Sequence, residues 1–210
     1  LAAGDSSALG SGLLGAEYYI PPSGPPISGC DQVVFDGARY FTAMVTAERR
    51  LMGYWFAQDG QQLRQSVEIA DLSHTTGNLS QPSLCVLDGV IYVGWVVIED
   101  EADNEVGGAQ YLCTVSGNGK VSAPVCVCDR QVWPRRPGMA AGDDGILLVY
   151  RVYEEVDEGW ATFMTHNCYA TYVKRDLSFQ TPYRINEESF AIYPTVAYAA
   201  ETGRFLAVWQ

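Results

Sequence analysis

Three stretches of this 210-residue chain are versions of one another. Pro82-Ser83-Leu84 leads through Asp88-Gly89 to Tyr92-Val93-Gly94-Trp95. Pro137-Gly138-Met139 leads through Asp144-Gly145 to Leu147-Leu148-Val149-Tyr150, and Pro194-Thr195-Val196 through Thr202-Gly203 to Phe205-Leu206-Ala207-Val208-Trp209. The prolines stand 55 and 57 residues apart (137 − 82 and 194 − 137). A period of this size is the mark of a repeat architecture, in which each unit is one supersecondary block and function sits on the loops of one face.

Each unit opens with a short apolar run, a Gly-containing turn and a second apolar run that ends on an aromatic residue. In the second unit these runs are 84–87 and 90–97, joined by Asp-Gly, a two-residue hairpin signal. A third run at 109–115, a polar turn at Ser116-Gly117-Asn118-Gly119 and a fourth run at 121–127 complete it. Four antiparallel strands in such a span match one propeller blade with long loops. The first unit is a divergent copy, with Asp36-Gly37 aligned to Asp88-Gly89 at an offset of 52 (88 − 36). Its third and fourth strands are expected at 51–57 and 66–69, and those of the third unit at 160–173 and 181–185. The last unit stops after its second strand.

The other half of that unit is found at the opposite end. Gly15-Ala16-Glu17-Tyr18-Tyr19-Ile20 resembles Gly108-Ala109-Gln110-Tyr111-Leu112-Cys113, followed by a tip turn at 21–24 and a fourth strand at 25–28. The sequence therefore predicts an all-β fold, a four-bladed β-propeller whose last blade is completed by the N-terminal hairpin. The blades fall at about 29–72, 79–130, 131–188, and 189–210 plus 15–28, with 1–14 as a linker or long loop of one domain. Completion is possible within the chain, which closes a ring, or between chains, which links subunits head to tail into a filament. The competing reading of the same strands is an open β-sandwich.

Composition narrows the function. Net charge is 13 − 25 = −12, which argues against nucleic acid and anionic membrane surfaces. The longest apolar stretch, 90–98, is too short to span a bilayer as a helix, so no membrane insertion is expected. Six cysteines (Cys30, Cys85, Cys113, Cys126, Cys128 and Cys168) in an acidic β protein suggest disulfides and an extracellular setting. Asn78-Leu79-Ser80 is a glycosylation sequon in the connection between the first two units, so Asn78 is the expected acceptor of a secreted protein.

An antiparallel meander sends its loops to two opposite faces. Two loops between second and third strands are acidic, Glu99-Asp100-Glu101-Ala102-Asp103-Asn104-Glu105 and Glu154-Glu155-Val156-Asp157-Glu158. They make Glu99, Asp100, Asp103, Glu155 and Asp157 candidate calcium ligands, since hard cations take carboxylate and carbonyl oxygens; a solvated acidic loop explains them more simply. The connections between units carry His74, then Trp133, Arg135 and Arg136, then Glu187, Glu188, Phe190 and Tyr193. Aromatic rings beside charged groups suit carbohydrate, whose apolar face stacks while its hydroxyls find hydrogen bonds. Trp133, Arg135, Arg136, Tyr193 and His74 are therefore the candidate ligand-binding residues, with a glycan or an extracellular protein as the expected partner. Catalytic material is sparse. His74 and His166 are the only histidines, and His166 falls on a strand. A glycosidase needs only two suitably spaced carboxylates, and no spacing here singles out a pair.

The segment 194–209, Pro-x-Val-Ala-Tyr followed by Thr-Gly-Arg-Phe-Leu-Ala-Val-Trp, resembles a repeat of secreted bacterial and algal β-propeller proteins. The polar turns at Gln58-Asp59-Gly60 and Asn118-Gly119 fit the second part of that repeat. The resemblance implies an extracellular propeller and no particular activity. The sialidase Asp-box, the kelch glycine pair and the Trp-Asp of WD repeats are absent. The expectation is a secreted binding or structural module, for carbohydrate or a cation. The alternatives are a subunit of an extracellular filament and a carbohydrate-active enzyme.

Overall fold

A computed structural model of the chain describes residues 32–75, 80–97, 108–132, 137–157, 159, 162–187 and 190–210. They form fourteen β-strands and no helix. The first meander is β1 (Val34–Phe35), β2 (Tyr40–Val45), β3 (Arg50–Phe56) and β4 (Gln62–Asp71). The second is β5 (Ser83–Leu87), β6 (Val90–Val97), β7 (Gly108–Val115) and β8 (Val125–Val132). The third is β9 (Gly138–Ala141), β10 (Gly145–Asp157), β11 (Thr162–Lys174) and β12 (Tyr183–Arg184). A final hairpin joins β13 (Thr195–Ala199) to β14 (Arg204–Val208). Every pairing between these strands is antiparallel. One residue pair, Val152 opposite Val132, links the second and third meanders into a continuous sheet.

The turns follow from the residues that make them. Asp88 and Gly89 have φ of 51° and 74° between the paired residues Leu87 and Val90. Positive φ at both central positions is the type I′ hairpin, which suits the right-handed twist of the strands. In the first unit the turn is longer, and the Asp36 carboxylate closes it by accepting the amide N–H groups of Ala38 and Arg39 at 2.9 and 2.7 Å.

The faces explain the stacking. Strand β6 does not alternate: Ile91 to Val97 are all buried. Ile91, Val93, Trp95 and Val97 pack with Phe41, Leu51 and Trp55 of the first meander. Tyr92 and Val96 pack with Met139, Ile146, Leu148 and Tyr150 of the third. One step on, Leu147 and Val149 of β10 pack with Val196, Phe205 and Ala207 of the final hairpin. A strand apolar on both faces is covered on both faces. The opening strands follow the same succession, with β1 against β5, β5 against β9 and β9 against β13. The turns repeat it too. Arg39 donates to the Gly117 carbonyl, and Arg175 pairs with Asp88 at 2.8 Å, so the third-to-fourth turns of the second and third units meet the opening turn of the unit before.

Two expectations change. The acidic segment 154–157 is strand, not loop: β10 runs to Asp157, opposite Thr162 of β11. Alternation then sends Glu154 and Glu155 to opposite faces. The described cysteines form no disulfide with one another, and Cys85, Cys113 and Cys168 are buried thiols. Their strands set them apart: Cys85 belongs to the core between the second and third meanders, Cys113 to the core between the first and second. Burial pushes both thiols up to about 12, and that of Cys168 to about 11, so all three are protonated at neutral pH. An even cysteine count reads the same whether the sulfurs are bridged or serve as small core residues. Cys30 and the N-terminal hairpin at 15–28 lie outside the described residues.

Gly138 is where the third meander meets the final hairpin. A Cβ there would stand 2.6 Å from Val149 Cγ2, 2.9 Å from Thr195 Cα and 3.1 Å from the Pro194 carbonyl oxygen. Gly138→Ala is therefore expected to cost about 2 kcal/mol by overpacking, lowering Tm by roughly 4–8 °C in a thermal melt. An unchanged melt would mean that β9 and β13 are not in contact.

Candidate functional site

Antiparallel order places the connections between units and the second-to-third-strand loops at one end of the sheets, here called upper. At the upper end of the third unit, two groups of side chains flank the β10–β11 hairpin. Tyr153 and His166 are directly opposite each other, with ring centroids 4.8 Å apart. Phe190, in the connection to the last unit, meets His166 edge-on at 5.9 Å. Burial, with the nearby Arg151 guanidinium, lowers the His166 pKa below its ordinary value, so the ring is neutral at neutral pH.

On the other face of the hairpin a polar chain runs inward. Tyr169 Oη and Asn167 Nδ2 donate to the two oxygens of Glu154 at 2.6 and 2.7 Å. Asn186 Nδ2 donates to Asn167 Oδ1 at 2.9 Å, and Asn186 Oδ1 accepts the Cys168 amide at 2.7 Å. Asn167 and Asn186 are buried and hold the start of the connection against β11.

The rest of that connection is held under backbone strain. Ala191 is buried, and its amide donates to the His166 carbonyl at 2.7 Å. Ile192 and Gln210 exchange two backbone hydrogen bonds of 2.9 Å. Since Thr195 pairs with Val208, the residues Tyr193 and Pro194 together face Trp209, a one-residue bulge. Phe190 and Tyr193 have φ of 73° and 53°, the left-handed region that glycine favours. Both are large aromatics, and both are exposed, at 64% and 57%. Each such conformation costs of the order of 1–3 kcal/mol.

A second feature lies between the first two meanders. Ile69, Leu72 and His74 form one wall and Trp95, Tyr111 and Pro124 the other of a cleft of ≈ 350 Å³. Trp95 and Tyr111 are cross-strand partners stacked at 5.9 Å and 19°. Asp71 stands at the rim, its carboxyl held below the usual range by hydrogen bonds from Ser73.

The structure thus puts Tyr193 three residues after Phe190 in the connection to the last unit, and His74 in a separate cleft between the first two meanders. Trp133, Arg135, Arg136, Asn78, Glu99, Asp100 and Asp103 lie outside the described residues. Glu155 and Asp157 are both on β10 rather than on a loop. Among the described residues no three His, Cys, Asp or Glu side chains gather as a metal would need. Tyr153 and Glu154 gain their places from strand register. The sequence signal for them is the unbroken run of strand-forming residues through Tyr150, Val152 and Tyr153.

No family model and no curated protein matches the sequence. Among solved structures the chain is similar to the α-L-arabinanase of Penicillium chrysogenum, determined in complex with arabinobiose, with a TM-score of 0.53 and 12% identity. The alignment covers 81% of this chain and 53% of the arabinanase, so the chain spans about half the length of that protein. A likeness at this identity shows the fold: a propeller-like stacking of antiparallel sheets.

The strain at Tyr193 is open to measurement. Tyr193→Gly removes the left-handed penalty and little buried area, so a gain of about 1 kcal/mol is expected, raising Tm by roughly 2–4 °C. A lower Tm would show that the Tyr193 ring carries packing that its exposure conceals.

Proposed function

We propose that this chain is an extracellular four-bladed propeller module that binds neutral carbohydrate at its upper face, around Tyr153, His166, Phe190 and Tyr193. The observation that carries the reading is the pair of exposed aromatic rings on left-handed backbone. Neither ring is rewarded by deep burial, so folding alone gives no reason to hold them there. Sugar rings stack on such platforms, and the neutral imidazole of His166 offers a partner for a hydroxyl. The net charge of −12 repels uronate and sulfate groups, which favours uncharged glycans. The arabinanase of like fold is complexed with arabinobiose, which supports the same class of ligand.

The test is affinity electrophoresis and calorimetry against neutral polysaccharides, arabinan included. Wild-type protein is expected to bind at least one of them. Phe190→Ala and Tyr193→Ala are each expected to weaken binding about five- to tenfold, the worth of a lost stacking contact of about 1–1.5 kcal/mol. Tm should stay within a few degrees of wild type. Binding that ignores both substitutions, or no binding to any neutral glycan, overturns the reading. Release of reducing ends by the wild type would replace a binding module with a glycosidase.

A further inference from the structure

The junctions between successive units differ in one place. Trp95 and Tyr150 hold corresponding positions near the ends of β6 and β10, and each faces a tyrosine across the ladder, Tyr111 and Tyr169. Between the second and third units that pair is closed in. Tyr150 is 1% exposed and Tyr169 7%, and β8 joins β10 where Val132 stands opposite Val152. Between the first and second units the corresponding strands are β4 and β6, and among the described residues they do not pair. Trp95 is buried there, but Tyr111 is only half-buried, and the cleft of ≈ 350 Å³ opens beside it. The cleft therefore belongs to this junction and not to the fold in general, and its size falls in the range of small-molecule sites.

Its chemistry is one-sided. The first unit supplies the aliphatic side chains of Ile69 and Leu72, and the second the stacked rings of Trp95 and Tyr111. Apolar and aromatic walls of this kind suit a ring-bearing, apolar body. The rim carries the Asp71 carboxylate, and among the described residues no Lys or Arg lines the cleft. Ser73 donates its amide to Asp71 Oδ1 at 2.9 Å, which steadies the charged form. Arg50 is the partner of Asp71 across the ladder, yet its guanidinium goes to Glu68 at 2.6 Å. Asp71 is left with its charge and, among the described residues, with no ion pair. A carboxylate next to aromatic rings, in a protein of net charge −12, favours a cation.

We propose that this cleft binds a small aromatic amine, with its ring among Ile69, Leu72, Trp95 and Tyr111 and its ammonium group at Asp71. The site is separate from the upper face of the third unit and takes a different class of ligand. It rests neither on the glycan reading nor on the number of blades.

The experiment is a methyl NMR titration of the full chain at low salt with three probes: tryptamine, indole-3-ethanol and ethylamine. Tryptamine is expected to shift the methyl signals of Ile69, Leu72 and Val97 saturably, with a Kd on the order of 0.1–1 mM for a ligand of its size. Indole-3-ethanol keeps the ring and replaces the ammonium by a hydroxyl, and is expected to bind about three- to fivefold more weakly, the reach of a solvent-exposed ion pair. Ethylamine has the charge without the ring and is expected not to saturate. Asp71 is exposed, so Asp71→Asn keeps the fold and is expected to bring tryptamine down to the level of indole-3-ethanol. Salt raised to about 1 M is expected to do the same to the wild type. Equal affinity of the wild type for tryptamine and indole-3-ethanol overturns the amine. Saturable binding of ethylamine overturns the aromatic body. Tryptamine shifts that spare Ile69, Leu72 and Val97, or no saturation by about 10 mM, overturn the site. A failure to bind glycan concerns the third unit alone and leaves each of these readouts as it is.

Discussion

A four-stranded meander whose middle strands are apolar on both faces cannot stand alone. This is the constraint on which the molecule depends. From Ile91 to Val97 every residue of β6 is buried. One set packs with Phe41 and Trp55, whose rings meet at 4.8 Å, and the alternate set with Met139 and Leu148. Every such sheet therefore calls for a neighbour on each side. Side-by-side stacking along the opening strands answers that demand, and small residues permit it at close approach, as at Gly138. The hydrophobic effect sets the stacking, and the turns between units supply register more than energy; the exposed Arg175–Asp88 pair is of a kind that contributes little.

The stacking leaves function to the ends of the strands. At the upper end of the third unit, the polar chain from Glu154 through Asn167 to Asn186 pins the start of the connection that follows β12 against β11. The Ala191 and Ile192 hydrogen bonds fix where it lands. Between those anchors the backbone passes through two left-handed residues that present aromatic rings to water. Stability is thus given up locally, on a scaffold whose sheet contacts can sustain the loss.

Much of the strand plan was legible in the sequence, because period and turn chemistry are local. Asp88-Gly89 is a type I′ turn on sight, and the alignment of Pro82, Pro137 and Pro194 locates the opening strand of each unit. The upper face was legible only in part. Glu154 and Glu155 read as a charged loop, yet β10 stays paired with β11 through both of them. Tyr193 was a candidate as an aromatic in a connection, but its bulge depends on the pairing of Ile192 with Gln210, which no local pattern announces. Left-handed φ at a tyrosine is likewise silent in sequence, since glycine is the residue that normally signals it. The cysteines misled because a buried thiol and a bridged one leave the same count.

The stacking of successive sheets can be seen directly by methyl NOE spectroscopy on selectively labelled protein. A Cβ built at Gly94 would lie 3.7 Å from Met139 Sδ and 3.8 Å from Leu112 Cδ1, so the side chains of Met139 and Leu112 line the same gap in the core shared by the second and third meanders. A cross-peak between them is predicted, with a second between Leu147 and Val196 across the third meander and the final hairpin. Spectra that show contacts within each meander and none between them would contradict the stacked arrangement.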